Sequence, residues 1–124
     1  MDKRKKQRWF DRAVNGLAGQ KFEQSAASHG ECVYRASNGM RCAVGHLIRD
    51  CDYDSSYEGC HIYSALDRGL LILGHAPTKS EEAHFLSDLQ DCHDEAKNPA
   101  EMKEALKRFA KKHELKIPRK LYGA

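Results

Sequence analysis

Residues 32–48, CVYRASNGMRCAVGHLI, limit what this chain can fold into more than any other stretch. Ser37-Asn38-Gly39 holds the Asn-Gly pair that a tight type I′ turn demands, because both central residues of that turn need positive φ. Val33 and Tyr34 on one side, with Cys42, Ala43 and Val44 on the other, are good flanks for such a turn. Gly45 follows, where the chain must bend or be approached closely. The stretch reads as a β-hairpin running into a buried bend, with a small antiparallel sheet nucleated on it.

Apolar spacing predicts helices on either side. Over 4–18, Trp9, Phe10, Ala13, Val14, Leu17 and Ala18 share one face, and Gly19 marks a stop. Over 61–73, Ile62, Ala65, Leu66, Leu70 and Leu73 do the same, with Gly69 as a packing contact or a weak point. Thr78 and Glu81 read as N-cap and N3 of a capping box opening a helix over 79–97. That helix carries Phe85, Leu86, Leu89, Cys92 and Ala96, with His93 at the border of the apolar face. Asn98 as N-cap and Pro99 at N1 open the last helix, 99–113, whose stripe of Met102, Ala105, Leu106, Phe109 and Ala110 is the most regular in the chain. Leu115, Ile117, Pro118 and Leu121 read as a tail laid back on the core. The predicted fold is therefore α+β, with about four helices packed on the small sheet in one compact domain, 1–124.

Composition narrows the function classes. The 124 residues are 40% hydrophobic and 31% charged, an ordinary soluble balance. No apolar run reaches the roughly 18 residues a membrane span needs, and the charged N-terminus lacks the apolar core of a signal peptide. A cytoplasmic location is expected. Five cysteines, an odd number, argue against a disulfide framework. The net charge of +3 is too small to imply a nucleic-acid partner, but lysine and arginine gather at both ends, from Lys3 to Arg8 and from Lys107 to Lys120, with an acidic middle. Lys3, Arg4, Lys5 and Lys6 oppose the dipole of the helix they open, so they are not there to stabilise it. They are a solvated helix start or a nucleic-acid contact.

Three constellations carry chemistry. Cys42 with His93 and Asp94 (or Asp88) has the residue types of a thiol hydrolase or transferase, in which an imidazole generates the thiolate. Cys32, Cys42, Cys60 and His61, with Cys51 and His46 nearby in sequence, offer soft ligands for zinc, although their separations lack the paired spacing of a structural zinc site. Tyr34, Arg35, Asn38, His93 and Asp94 are suited to a small anionic or nucleotide ligand, arginine supplying a planar fork and tyrosine a stacking face.

Cys32-x-Tyr34-Arg35, then Gly39-x-x-Cys42-Ala43-Val44-Gly45-x-Leu47-Ile48, then Leu89-Gln90-x-x-His93-Asp94 and the closing Leu115-x-Ile117-Pro118 form a pattern over nearly the whole chain. It resembles small uncharacterised proteins of tailed bacteriophages and their bacterial hosts. Cys51, Cys60 and Cys92 fall outside the pattern. The resemblance implies an accessory factor acting on a host protein, a nucleic acid or a defence signal, and supplies no mechanism. A binding role, with counter-defence as one form of it, is the leading expectation, acting in the host cytoplasm if the chain is phage-encoded, with no cofactor and no membrane. Its partner is a small ligand or a host macromolecule, with nucleic acid reached through the basic first helix. A Cys–His enzyme is second and a zinc-stabilised interaction module third.

Overall fold

The computed structural model describes residues 1–27 and 30–122. Among these residues four α-helices carry the architecture: α1 (Lys3–Gly19), α2 (Ile62–Asp67), α3 (Glu81–Asp94) and α4 (Pro99–Lys112). Four single 3₁₀ turns, at Val44–Leu47, Asp50–Asp52, Ser55–Tyr57 and Arg119–Leu121, punctuate the connections. α3 packs on α4 and α2, while α1 lies against the Val44–Leu47 turn and the C-terminal turn. Phe10 of α1 stacks on Phe109 of α4 with centroids 5.4 Å apart, and Phe85 of α3 meets Phe109 edge-on at 5.1 Å. These rings form the centre of a core closed by Leu17, Leu47, Ile62, Leu86, Leu89 and Leu106.

The sheet predicted from the Asn-Gly turn does not form, so the α+β class is corrected to a mainly helical one. Among the described residues β-pairing is confined to isolated bridges, Ala26 with Cys32, Arg35 with Arg41, and Ile72 with His75. The hairpin survives only as its turn. Ala36 N–H donates to Met40 O at 2.9 Å and Gly39 N–H to Ala36 O at 3.1 Å, with Gly39 at φ +88°. Asn38 stays at negative φ and its side chain accepts from Met40 N–H. This is a type I turn closed by a left-handed glycine rather than the type I′ turn expected. Beyond it the chain coils instead of extending. Cys42, Ala43, Val44, Gly45, Leu47 and Ile48 are all buried, so the run lacks the alternation that gives a strand one wet face.

The helices end where local chemistry dictates. α2 stops at 67, short of the predicted 73, because Gly69 takes φ +99° and Leu70 N–H reaches Ala65 O while Gly69 N–H reaches Leu66 O, a Schellman closure. The capping box of α3 forms with Thr78, but its partner is Glu82 rather than Glu81: Thr78 N–H donates to Glu82 Oε1 at 3.0 Å and Glu82 N–H to Thr78 Oγ1 at 3.3 Å. α4 opens as read, Asn98 Oδ1 accepting from Glu101 N–H at 2.9 Å. The tail returns onto α1, where Gln7 takes Lys116 N–H on its Oε1 and donates its Nε2–H to Lys116 O.

Candidate functional site

His93 is buried at the C-terminal end of α3, and both ring nitrogens are engaged. Ser25 N–H donates to Nε2 at 2.9 Å, and Nδ1 lies 2.7 Å from Asp94 Oδ1. An acceptor at Nε2 fixes the tautomer: the ring is neutral, with its proton on Nδ1 facing Asp94. Asp94 Oδ1 also accepts from Gln90 Nε2 at 2.9 Å, while Gln90 Oε1 holds Val44 N–H at 3.0 Å. Cys32 Sγ stands on the same carboxylate. A sulfur of Cys32, a ring nitrogen of His93 and a carboxylate oxygen of Asp94 all lie within 4.8 Å of one another, a possible metal-binding group. Burial, and then the charge and hydrogen bond of Asp94, push the Cys32 thiol up to about 11.

Cys42 lies elsewhere in function. It is fully buried, accepts Gly45 N–H on its sulfur at 3.3 Å, and burial pushes its thiol up to about 12. An activated nucleophile needs the opposite shift and a path for substrate. Of the residues considered for zinc, Cys32, Cys60 and His61 converge on one cavity of about 330 Å³, and Cys42 does not line it. Tyr34 and Asp94 line it as well, but Arg35, Asn38 and His93 do not. Its described wall carries Glu31, Glu58, Asp91 and Asp94 and neither lysine nor arginine. An anionic ligand would meet no arginine or lysine among these lining residues.

Arg35 is built into the loops. Its guanidinium lies 4.4 Å from the Tyr53 ring centroid, donates to Ile48 O at 3.0 Å and pairs with Asp50 at 2.9 Å. Glu58 accepts both Tyr34 N–H and Arg35 N–H, at 2.8 and 3.0 Å, and the Tyr53 hydroxyl at 2.7 Å. Asn38 sits at the exposed turn tip.

The cationic surface is on α1. Arg4, Arg8 and Arg12 recur every four residues, so they climb the helix about 6 Å at a time. All three are exposed, on the side opposite Phe10, Ala13 and Leu17. With Arg41 and His46 they line a groove of about 880 Å³, which also takes in Gln7 and Asp11. None of the ion pairs among the described residues uses Arg4, Arg8 or Arg12. Lys5, from the basic run singled out in the sequence, is instead tied to Glu82 at 2.7 Å. The basic cluster from Lys3 to Arg8 stops short of Arg12, whose signal is the four-residue arginine register opposite the apolar stripe. Arg41 joins them only through the fold.

The groove's floor is a packed hub. Gln20 Oε1 accepts Arg41 N–H at 3.0 Å and the His46 Nε2–H at 2.9 Å, while its Nε2 donates to Arg41 O and Glu23 O, each at 2.8 Å. Burial first, then the charge of Arg41, lowers the His46 pKa to about 4. Its ring is a neutral wall of the groove at physiological pH.

No family model, curated protein or solved structure matches the chain. No helix of the described residues is long and apolar enough to cross a membrane.

Proposed function

We propose that this chain is a binding protein for an extended phosphate-bearing polyanion, a nucleic acid, held along the arginine face of α1. The observation that carries the reading is the exposed Arg4–Arg8–Arg12 row, without carboxylate partners among the described residues, opening into a groove with Arg41. Guanidinium groups bind phosphate oxygens through paired N–H donors, and a row of them on a rigid helix is fixed in spacing before the ligand arrives. Among the described residues no tryptophan, tyrosine or phenylalanine lines the groove, and its one ring is the His46 imidazole, so the contacts favour backbone over base stacking. An accessory role in counter-defence is compatible with such a ligand.

The test is binding of labelled DNA and RNA strands and duplexes, read by anisotropy across a salt series. Removing three phosphate contacts with Arg4→Gln, Arg8→Gln and Arg12→Gln together is expected to flatten the log–log salt slope by about 2 for single strands and nearer 3 for duplex DNA. Unchanged affinity and slope in the triple variant would remove the reading.

A zinc ion is the second reading, favoured by the closeness of Cys32, His93 and Asp94. It requires His93 Nδ1 to give up its proton while Nε2 keeps Ser25 N–H, which leaves the ring without a proton on either nitrogen. The expected result is that zinc added to chelator-treated protein leaves the thermal midpoint where it was. A rise that saturates at one equivalent would establish the metal site instead.

A further inference from the structure

We infer that the cavity bordered by Arg12, Arg41 and Arg49 is a pocket for a terminal phosphate group, so that the groove takes a nucleic-acid strand by its end. The inference rests on the groove reading and adds the group that is recognised. This cavity, about 250 Å³, shares Arg12, Arg41 and His46 with the larger groove and so continues it. Three arginines, one on α1 and one on either side of the Val44–Leu47 turn, border this one small space.

Each arginine is placed by a different device. Arg12 comes from the α1 row and has no ion-pair partner among the described residues. Arg41 is fixed through its backbone by Gln20, its guanidinium resting 3.1 Å from Asp50 Oδ1. Arg49 is held by Asp52, with Nε donating to Oδ2 at 2.7 Å, and its guanidinium lies across Gly74. A Cβ on Gly74 would come within 2.7 Å of Arg49 Cζ, and its φ of +85° also favours glycine, so the bare backbone there leaves the guanidinium its place.

The donor count selects the ligand. A phosphodiester within a strand carries one charge, and the arginine row supplies its counterpart. A terminal phosphate carries about −1.5 to −2 and three acceptor oxygens at neutral pH, which a cluster of three guanidinium groups can satisfy. Asp50 is the one carboxylate in the wall. It already accepts from Arg35 and Arg41, so an entering phosphate competes with it for Arg41, meets Arg49 through the part of its guanidinium that Asp52 does not hold, and finds Arg12 outside any ion pair of the described residues.

The experiment compares one oligonucleotide sequence with a 5′-phosphate, a 3′-phosphate or hydroxyls at both ends, in the intact protein. One phosphorylated form is expected to bind about tenfold more tightly than the hydroxyl form, and which form does so names the end. Arg49→Gln, outside the α1 row, is expected to bring that ratio close to one while leaving the hydroxyl-ended strand's affinity unchanged. Asp50→Asn is expected to preserve or widen the ratio, which also controls for damage to the loop. Equal binding of all three strands, or an advantage that survives Arg49→Gln, overturns the terminal-phosphate pocket and leaves the groove reading standing. Binding of none of them overturns the groove reading itself.

Discussion

Glu82 takes the capping-box place that the sequence spacing assigns to Glu81. It is 7% exposed at the first turn of α3, closes the capping box with Thr78, and receives Lys5 Nζ at 2.7 Å. Burial pushes its pKa up, but the hydrogen bonds from Lys5 and from Thr78 N–H outweigh burial and hold it below the ordinary 4.5. A depressed folded-state pKa means that the unfolded chain takes up the proton more readily. The stabilisation is therefore complete above about pH 4.5 and is lost as pH falls through the folded value. Wild type is expected to be more stable than Glu82→Gln by urea unfolding at neutral pH, with the gap narrowing as the pH drops below that point. A gap that stays constant with pH would show that the side chain acts by shape and neutral hydrogen bonding, without its charge. Arg35 and His93 carry the converse lesson. Both looked like recognition residues, yet each spends its polar groups inside the fold, on Ile48 O and Asp50 in one case and on Ser25 N–H and Asp94 in the other.

At the scale of elements, the helices that a cap and a long apolar stripe announce were legible, although α3 spans Glu81–Asp94 where 79–97 was expected. α1 and α4 lie within a residue of their predicted ends, because Asn98, Pro99 and the five-residue stripe after them leave no competing structure. α2 was overextended because Leu70 and Leu73 fit a helical face, while the left-handed Gly69 that ends the helix was read as a flaw inside it. The sheet was the larger error, and its cause is physical. Asn-Gly predicts a reversal, and the reversal is present, but a reversal becomes a sheet only if its arms alternate and find further partners. Residues 42–48 are buried except for the half-buried His46, a pattern as compatible with a coiled turn as with a strand, and Gln90 takes the Val44 N–H that a ladder would have used. The candidate site was legible in part. Cys32, Tyr34, Cys60, His61 and Asp94 do meet around one cavity, whereas the convergence of Arg12, Arg41 and Arg49 depends on tertiary contacts that no local spacing encodes.

Taken as a whole molecule, the fold depends on how α1 docks against the segment that follows the turn, since that contact both seals the core and forms the arginine groove. The closest approach is at Gly16, in the last turns of α1. A Cβ there would stand 2.2 Å from His46 Nδ1 and 2.3 Å from Cγ, and Cγ is too near the backbone for a simple rotation to clear it. His46 is held besides by Gln20, so relief requires the Val44–Leu47 turn to move away from the helix. Gly16→Ala is thus expected to destabilise the protein by about 1–3 kcal/mol, the usual cost of overpacking, and to widen the groove. The same substitution improves the helix itself, since alanine is favoured over glycine in a helix interior by about 1 kcal/mol. In a His46→Ala background the clash is gone and only the helix term remains, so Gly16→Ala should there become stabilising by up to about 1 kcal/mol. Urea unfolding of the four proteins in this double-mutant cycle reads the reversal directly. If Gly16→Ala has the same sign in both backgrounds, the imidazole is not what sets the distance between α1 and the turn, and the geometry of the groove must be fixed by other contacts.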